Sequence, residues 1–182
     1  MLRVIAGKYR GRKMTTGKHL AARPTTSIVR EAIFNILSSK KSIYNLNVLD
    51  LFCGSGSFSI EALSRGAKHA FMVDSDYYNL QLPKKTAKDL GIIDSITPIC
   101  CSANALPKPI SKCDIVFIDP PYHSNLVDST LDGLANSGWL SNDASLILEI
   151  RRNEDFQCSK NFSVILERTY GIARIIFLSL ST

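Results

Sequence analysis

The sequence predicts an open α/β fold: a mostly parallel seven-stranded sheet with helices on both faces, closed by a C-terminal antiparallel hairpin. Three observations carry this. From residue 47 onward, short apolar runs alternate with helix-length segments, the pattern of parallel strands joined by helical crossovers. A glycine turn, Cys53-Gly54-Ser55-Gly56, links the first apolar run to the first of these helices. The last two apolar runs, 162–168 and 172–178, are separated only around Gly171, too close for a helical crossover, so they pair antiparallel.

Each element follows in order. Residues 2–15 form two extended runs about Gly7 and Gly11, a β-hairpin or an extended arm. In 25–37 the residues Ile28, Val29, Ala32, Ile33, Ile36 and Leu37 share one helical face, with Thr25 or Thr26 as cap. Strands are expected at 47–52, 69–74, 96–101, 113–119 and 144–150, and helices at 58–65, from Asp76 to about Leu90, and at 124–136. Pro83 falls inside the second of these helices, where it predicts a kink or a break. A chain of 182 residues fits one domain, 1–182.

The composition excludes several classes. No stretch approaches the roughly 18 apolar residues of a membrane span, and the N-terminus carries charge where a secretory signal needs an apolar region. A cytoplasmic, monomeric protein is expected. The five cysteines include no Cys-x-x-Cys pair, so they read as reduced, mostly buried residues, and no metal site is expected. The net charge of +6 is concentrated: residues 1–30 hold eight basic residues and no acid. These are Arg3, Lys8, Arg10, Arg12, Lys13, Lys18, Arg23 and Arg30. Residues 1–24 therefore read as a basic RNA-binding arm, with a solvated surface as the plainer alternative.

The strand ends carry the chemistry. The turn after Asp50 lets the backbone approach a ligand closely. A dinucleotide fold would have a small third residue, usually glycine, where Ser59 stands, and Asp50 would repel a pyrophosphate. A ligand with a positive centre suits Asp50, and S-adenosylmethionine carries a sulfonium and an ammonium. Asp74 closes the second strand, where it is either a ribose acceptor or a helix cap. Asn104, after the third strand, either meets an adenine edge or makes an Asx turn.

Asp119-Pro120-Pro121-Tyr122 is the most specific feature. An exocyclic amine on a base is a poor nucleophile because its lone pair is delocalised into the ring. The Asp119 carboxylate and the Pro120 carbonyl can accept its two N–H groups and favour an attacking geometry. Two prolines stiffen the loop, and Tyr122 offers a face on which an extracted base stacks. The neighbouring His123 is either a base contact or an incidental loop residue.

These segments carry a family resemblance. The motifs DLFCGSGS, MVDSD, SANA and IDPPYH resemble Rossmann-like class I S-adenosylmethionine-dependent methyltransferases that act on amino groups. RVIAGKYRGRK, ARPTTSIVREAIFNIL, DLFCGSGSFSIEALSRGA and YGIARIIFL are similar to the bacterial ribosomal RNA small subunit methyltransferase D family. The resemblance covers nearly the whole chain. It implies methylation of N2 of guanine 966 in 16S ribosomal RNA, within the small subunit or an assembly intermediate, with S-adenosylhomocysteine as product. It implies donor contacts from Asp50, Cys53, Gly54, Ser55, Gly56, Asp74, Ser75, Asn104 and Ala105, and chemistry at Asp119 to Tyr122. It assigns Arg3, Lys8, Arg10, Arg12, Lys13, Arg23, Thr25 and Arg30 to RNA. Cys53 stands where the family often has alanine, and Asn104 where relatives often have Asp. The alternatives are a DNA adenine-N6 methyltransferase, against which no separate target-recognition domain is evident, and a non-enzymatic RNA-binding assembly factor. The intact Gly54, Gly56, Asp74 and Asp119 argue against the second.

Overall fold

A computed structural model describes residues 2–17, 26–122 and 126–181. Helix α1 (Ser27–Lys40) precedes β1 (Asn47–Leu51), α2 (Ser57–Ser64), β2 (His69–Asp74), α3 (Tyr77–Leu90) and β3 (Ile96–Cys100). Then follow β4 (Cys113–Ile118), α4 (Val127–Asn136), β5 (Leu140–Arg151), β6 (Phe162–Tyr170) and β7 (Ala173–Leu180). The strands form one seven-stranded sheet in the order β3-β2-β1-β4-β5-β7-β6. Neighbours from β3 to β5 are parallel, and β7 runs antiparallel to both β5 and β6. The order reverses between β1 and β4, which opens a crevice at their carboxyl ends. At the far edge, β6 shifts register against β7 between Val164 and Leu166.

The alternation expected of buried strands sorts the core into two layers. Val48, Met72, Phe117, Ile147 and Phe177 face the helices α1 to α3, and Leu49, Leu51, Val73, Ile118 and Leu148 face α4 and Trp139. Phe34, Phe58 and Phe117 stack in series at 4.8 and 4.2 Å, tying α1 and α2 to β4. Trp139 is fully buried, and its indole N–H donates to the Pro107 carbonyl at 2.8 Å. Among the described residues no helix is long and apolar enough to cross a membrane.

Several expectations need correction. The Thr26 hydroxyl caps α1 by accepting from Val29 N, but Ile28 is 73% exposed while Phe34 and Arg30 are buried. Pro83 does not break α3, which runs through it. Its ring packs against the glycine loop, where a Cβ on Gly56 would lie 2.6 Å from Pro83 Cβ. Only Cys53 and Cys113 are buried; Cys101 and Cys158 are half-buried, and Cys100 is exposed. Burial pushes the Cys53 thiol well above its usual range and that of Cys113 to about 12.

The N-terminal residues form a hairpin, with Val4 N donating to Arg12 O, Gly11 N to Val4 O and Met14 N to Leu2 O at 2.9–3.0 Å. Leu2, Val4 and Met14 enter the core. The strand edge of the hairpin docks on α2: Ile5 N and Ala6 N donate to the Glu61 carboxylate at 2.7 and 2.9 Å, and Lys8 N to Ser64 O at 2.8 Å. Thr15 N donates to Thr86 Oγ1 of α3 at 2.9 Å. The tip thus sits at the last residue of α2, roughly 10 Å along the helix from the glycine loop at 1.5 Å per residue. Arg30 belongs to this junction and not to an RNA surface. Its guanidinium is fully buried, donates from Nη2 to Arg3 O at 2.6 Å and lies 3.7 Å from Glu61.

Gly7 makes the closest approach in the hairpin. Its φ is +83°, and a Cβ there would fall 1.9 Å from Ser64 O. Gly7→Ala is expected to cost at least about 2 kcal/mol, since both backbone strain and a clash must be relieved. Urea unfolding measures it, and a loss below about 0.5 kcal/mol would mean that the hairpin docks without needing this contact.

Candidate active site

The reaction edge begins where β1 ends. Phe52, Gly54 and Gly56 all take left-handed backbone conformations, with φ of 61°, 51° and 67°. For Phe52, which has a Cβ, this costs about 1 kcal/mol or more and persists because the loop is bonded on both sides. Cys53 N donates to Val73 O at 2.9 Å, Gly54 N to Asp74 Oδ2 at 2.9 Å, and Gly56 N to Cys53 O at 2.7 Å. The other oxygen of Asp74 accepts from Asp76 N at 2.9 Å and from Asn79 Nδ2 at 3.3 Å. Asp74 therefore fastens the glycine loop to the end of β2 and the start of α3. The cap of α3 is Asp76, whose carboxylate accepts from Tyr78 N at 2.8 Å, while the Asp74 carboxylate lies at the strand end expected of a ribose acceptor.

Beneath the loop Asp50 is 2% exposed. Its Oδ2 accepts from Ser59 Oγ at 2.7 Å and from Ser59 N at 3.3 Å. Ser59, notable in the sequence only as a missing glycine, is the group that holds Asp50. Burial raises the Asp50 carboxyl to about 7 despite these two bonds, and nearby Asp74 pushes the same way. Among the described residues no Lys, Arg or His nitrogen lies within 4 Å of either acid. Two acids thus lie together at this strand edge with no basic side chain beside them among the described residues, a setting that a cationic ligand would suit and that would favour the Asp50 carboxylate.

This raised carboxyl sets a pH dependence. The folded protein favours neutral Asp50, so its contribution to stability is complete below about pH 4. It is lost as pH rises through about 7. Asp50→Asn should flatten a decline of a few kcal/mol, at about 1.4 kcal/mol per pKa unit. Melting midpoints of the unliganded protein between pH 4 and 8 decide it. Parallel curves for the two proteins would show that Asp50 ionises normally.

The remaining predicted residues gather at the same edge. Cys53, Ser55 and Gly56 are buried and Ser75 is exposed. Asn104 is exposed, with its Oδ1 accepting from Ser102 Oγ at 2.6 Å, and Ala105 N closes the turn on Ser102 O at 3.0 Å. The turn reading of Asn104 is the one the bonds display. Its backbone abuts α4, where a Cβ on Gly133 would lie 2.9 Å from Asn104 O. Asp119 follows β4 directly, and its N–H reaches Leu51 O at 3.5 Å, which sets the Asp-Pro-Pro-Tyr loop beside the glycine loop. Asp119 and Tyr122 are half-buried, Pro120 is buried and Pro121 is exposed.

Tyr122 opens onto a cleft of about 430 Å³ that it shares with Ile28 and Val29 of α1, Glu149 of β5, and Tyr170 and Ile172 of the β6–β7 turn. Sequence reading did not single out Glu149 or Tyr170. The signal for Glu149 was present, as one acid inside the apolar run LILEI. Arg3, Lys8, Arg10, Arg12 and Lys13 are all exposed on the hairpin, and none of them lines this cleft. Arg23, Thr25 and His123 lie outside the described residues.

Residues 2–179 match the family model described as Conserved hypothetical protein 95. The chain belongs to that family. It is 33% identical to ribosomal RNA small subunit methyltransferase D of Haemophilus influenzae, over 94% of this chain and 90% of the relative. It is 31% identical to an uncharacterized methylase of Rickettsia prowazekii, over 100% of this chain and 99% of that protein. A solved Escherichia coli structure named as a methyltransferase, yhhF, superposes with a TM-score of 0.87 at 29% identity, covering 100% of this chain and 98% of its own. The class I methyltransferase fold, with its C-terminal antiparallel hairpin, and the family resemblance are both borne out.

Proposed function

We propose that this protein transfers a methyl group from S-adenosylmethionine to the exocyclic N2 amine of a guanine in 16S ribosomal RNA, guanine 966 in the family's pattern. The observation that carries the reading is the placement of Asp119-Pro120-Pro121-Tyr122. It follows β4 at the switch point of the sheet, beside the glycine loop, and its Tyr122 lines a cleft of a size to receive a base. The names of relatives at this level of identity support ribosomal RNA as substrate. The family members act on the small subunit by name, so the partner is that subunit or an assembly intermediate.

The residues fit the donor. Asp50 and Asp74 lie together at the strand edge without a basic neighbour among the described residues, suited to a sulfonium and an ammonium, and Asp74 ends β2, a position suited to hold ribose hydroxyls. When bound, S-adenosylmethionine supplies an electrophilic methyl group with its leaving group already attached. Asp119 and the Pro120 carbonyl then accept the amine's two N–H groups, orient its lone pair and stabilise the positive charge that develops on nitrogen. Tyr122 stacks on the extracted base. The amine proton leaves to water after transfer, since the methylated nitrogen is strongly acidic.

Small subunits lacking the modification, incubated with the protein and labelled donor, test this reading. Nuclease digestion and mass spectrometry should locate N2-methylguanine at one position of 16S RNA. Label on DNA adenine with none on ribosomal RNA would overturn it.

A further inference from the structure

β5 runs parallel to β4, so its carboxyl end reaches the same edge as Asp119. There the chain continues Arg151-Arg152-Asn153, and these residues line a second cleft of about 390 Å³. Its remaining walls are Gly171 and Ile172, which also line the cleft entered by Tyr122. The two clefts therefore adjoin across the β6–β7 turn. That turn is fixed to the end of β5, because Arg152 N donates to Ile172 O at 2.8 Å. Gly171 holds φ of +60° and, among the described residues, nothing lies within 4 Å of its missing Cβ.

The charges nearby are already sorted. Arg174 is spent on Glu167, at 2.7 Å, and on the Glu154 carbonyl at 3.1 Å. Glu154 turns its carboxylate to the backbone N–H of Arg151 at 3.4 Å, and Asp155 follows it in the chain. The cleft is lined by Arg151, Arg152 and Asn153, and Arg152 and Asn153 are exposed there.

We propose that this second cleft holds an RNA phosphodiester flanking the target nucleotide while the base occupies the first. The inference rests on the methyl-transfer reading above and deepens it by naming the groups that seat the flipped nucleotide. Guanidinium groups suit a phosphate because their forked N–H donors match its oxygens. A base drawn from its stack needs its backbone held on the same side. No hairpin cation lines either cleft, and the hairpin tip sits at the far end of α2.

The test compares Arg152→Ala with Arg168→Ala, which removes an equal charge from the exposed outer strand β6. Binding of unmodified small subunits is measured across a salt series, and the methylation rate is measured in a single turnover at saturating subunits. Arg152→Ala should weaken binding about 10-fold and reduce the slope of log affinity against log salt by about 1. It should also lower the saturating rate, because the base is less well seated, while donor affinity and melting temperature stay as in the unaltered protein. Arg168→Ala should change neither rate nor affinity by more than about 2-fold, as a surface charge outside the cleft. Equal effects of the two substitutions would overturn the proposal, leaving only general electrostatic attraction. If the unaltered protein methylates no small-subunit RNA, the reading of the reaction fails instead. The contrast in binding between the two variants then still decides the phosphate site.

Discussion

Asp119→Ala is expected to lower the single-turnover methylation rate by about 10²–10³, the scale for removing one preorganised electrostatic group. Donor and RNA affinities should change far less, because the carboxylate is proposed to act on charge that develops during transfer. Its setting supports this: it follows β4, beside the end of β1, at the point where the strand order reverses. Asp119→Asn separates the two parts of the role. It keeps the shape and one acceptor oxygen but removes the negative charge, so an intermediate rate is expected. The rate against pH should show no neutral-range ionisation that disappears in the Asn variant. Finding one would make Asp119 a general base and sink the acceptor mechanism.

Glu61→Ala should be the most damaging change to the fold. Glu61 is fully buried on α2 and accepts from Ile5 N, Ala6 N and Arg65 Nε, the last at 2.8 Å. Arg30 is fully buried beside it and depends on it, since Arg30 Nε and Nη1 have no hydrogen-bond partner among the described residues. Burial already lowers the Arg30 pKa, and Glu61 is the charge that opposes this. Removing Glu61 strands a buried cation and frees the hairpin edge, an expected loss of about 3–5 kcal/mol. Arg30→Met in the Glu61→Ala background should restore part of it, because the stranded charge goes too. Denaturant unfolding of the single and double variants measures both effects. A loss below about 1 kcal/mol, or strict additivity, would show that the two residues are not coupled.

The sheet was legible because its strands are short apolar runs whose spacing leaves little choice of connection. Gly171 between two such runs predicts the final antiparallel pair, and Gly54 and Gly56 predict the turn at β1. Charge was harder to read. Arg30 looked like one more cation in a basic run, yet it is buried. Its partner Glu61 lies 31 residues away, on a different helix. Ile28 looked like a core residue, but α1 turns Val29, Ile33 and Leu37 inward and leaves Ile28 to wall the cleft. The Arg151–Asn153 segment has no meaning until the β6–β7 turn folds back onto it through Ile172. Local pattern predicts elements, whereas these groups are defined by contacts between elements.

The shift in register on β6 bears on how the molecule behaves among its own kind. β6 is the open border of the sheet, and Val164 and Ile165 are 46% and 52% exposed on it. A straight apolar border of nine residues would invite another chain to add itself strand to strand. Ile165 instead stands out of register between the pairs Val164↔Leu178 and Leu166↔Phe177, which bends the strand. The border is divided into runs of three and five residues, and the longer one carries Glu167 and Arg168. A second molecule therefore finds no continuous nine-residue ladder to extend along β6.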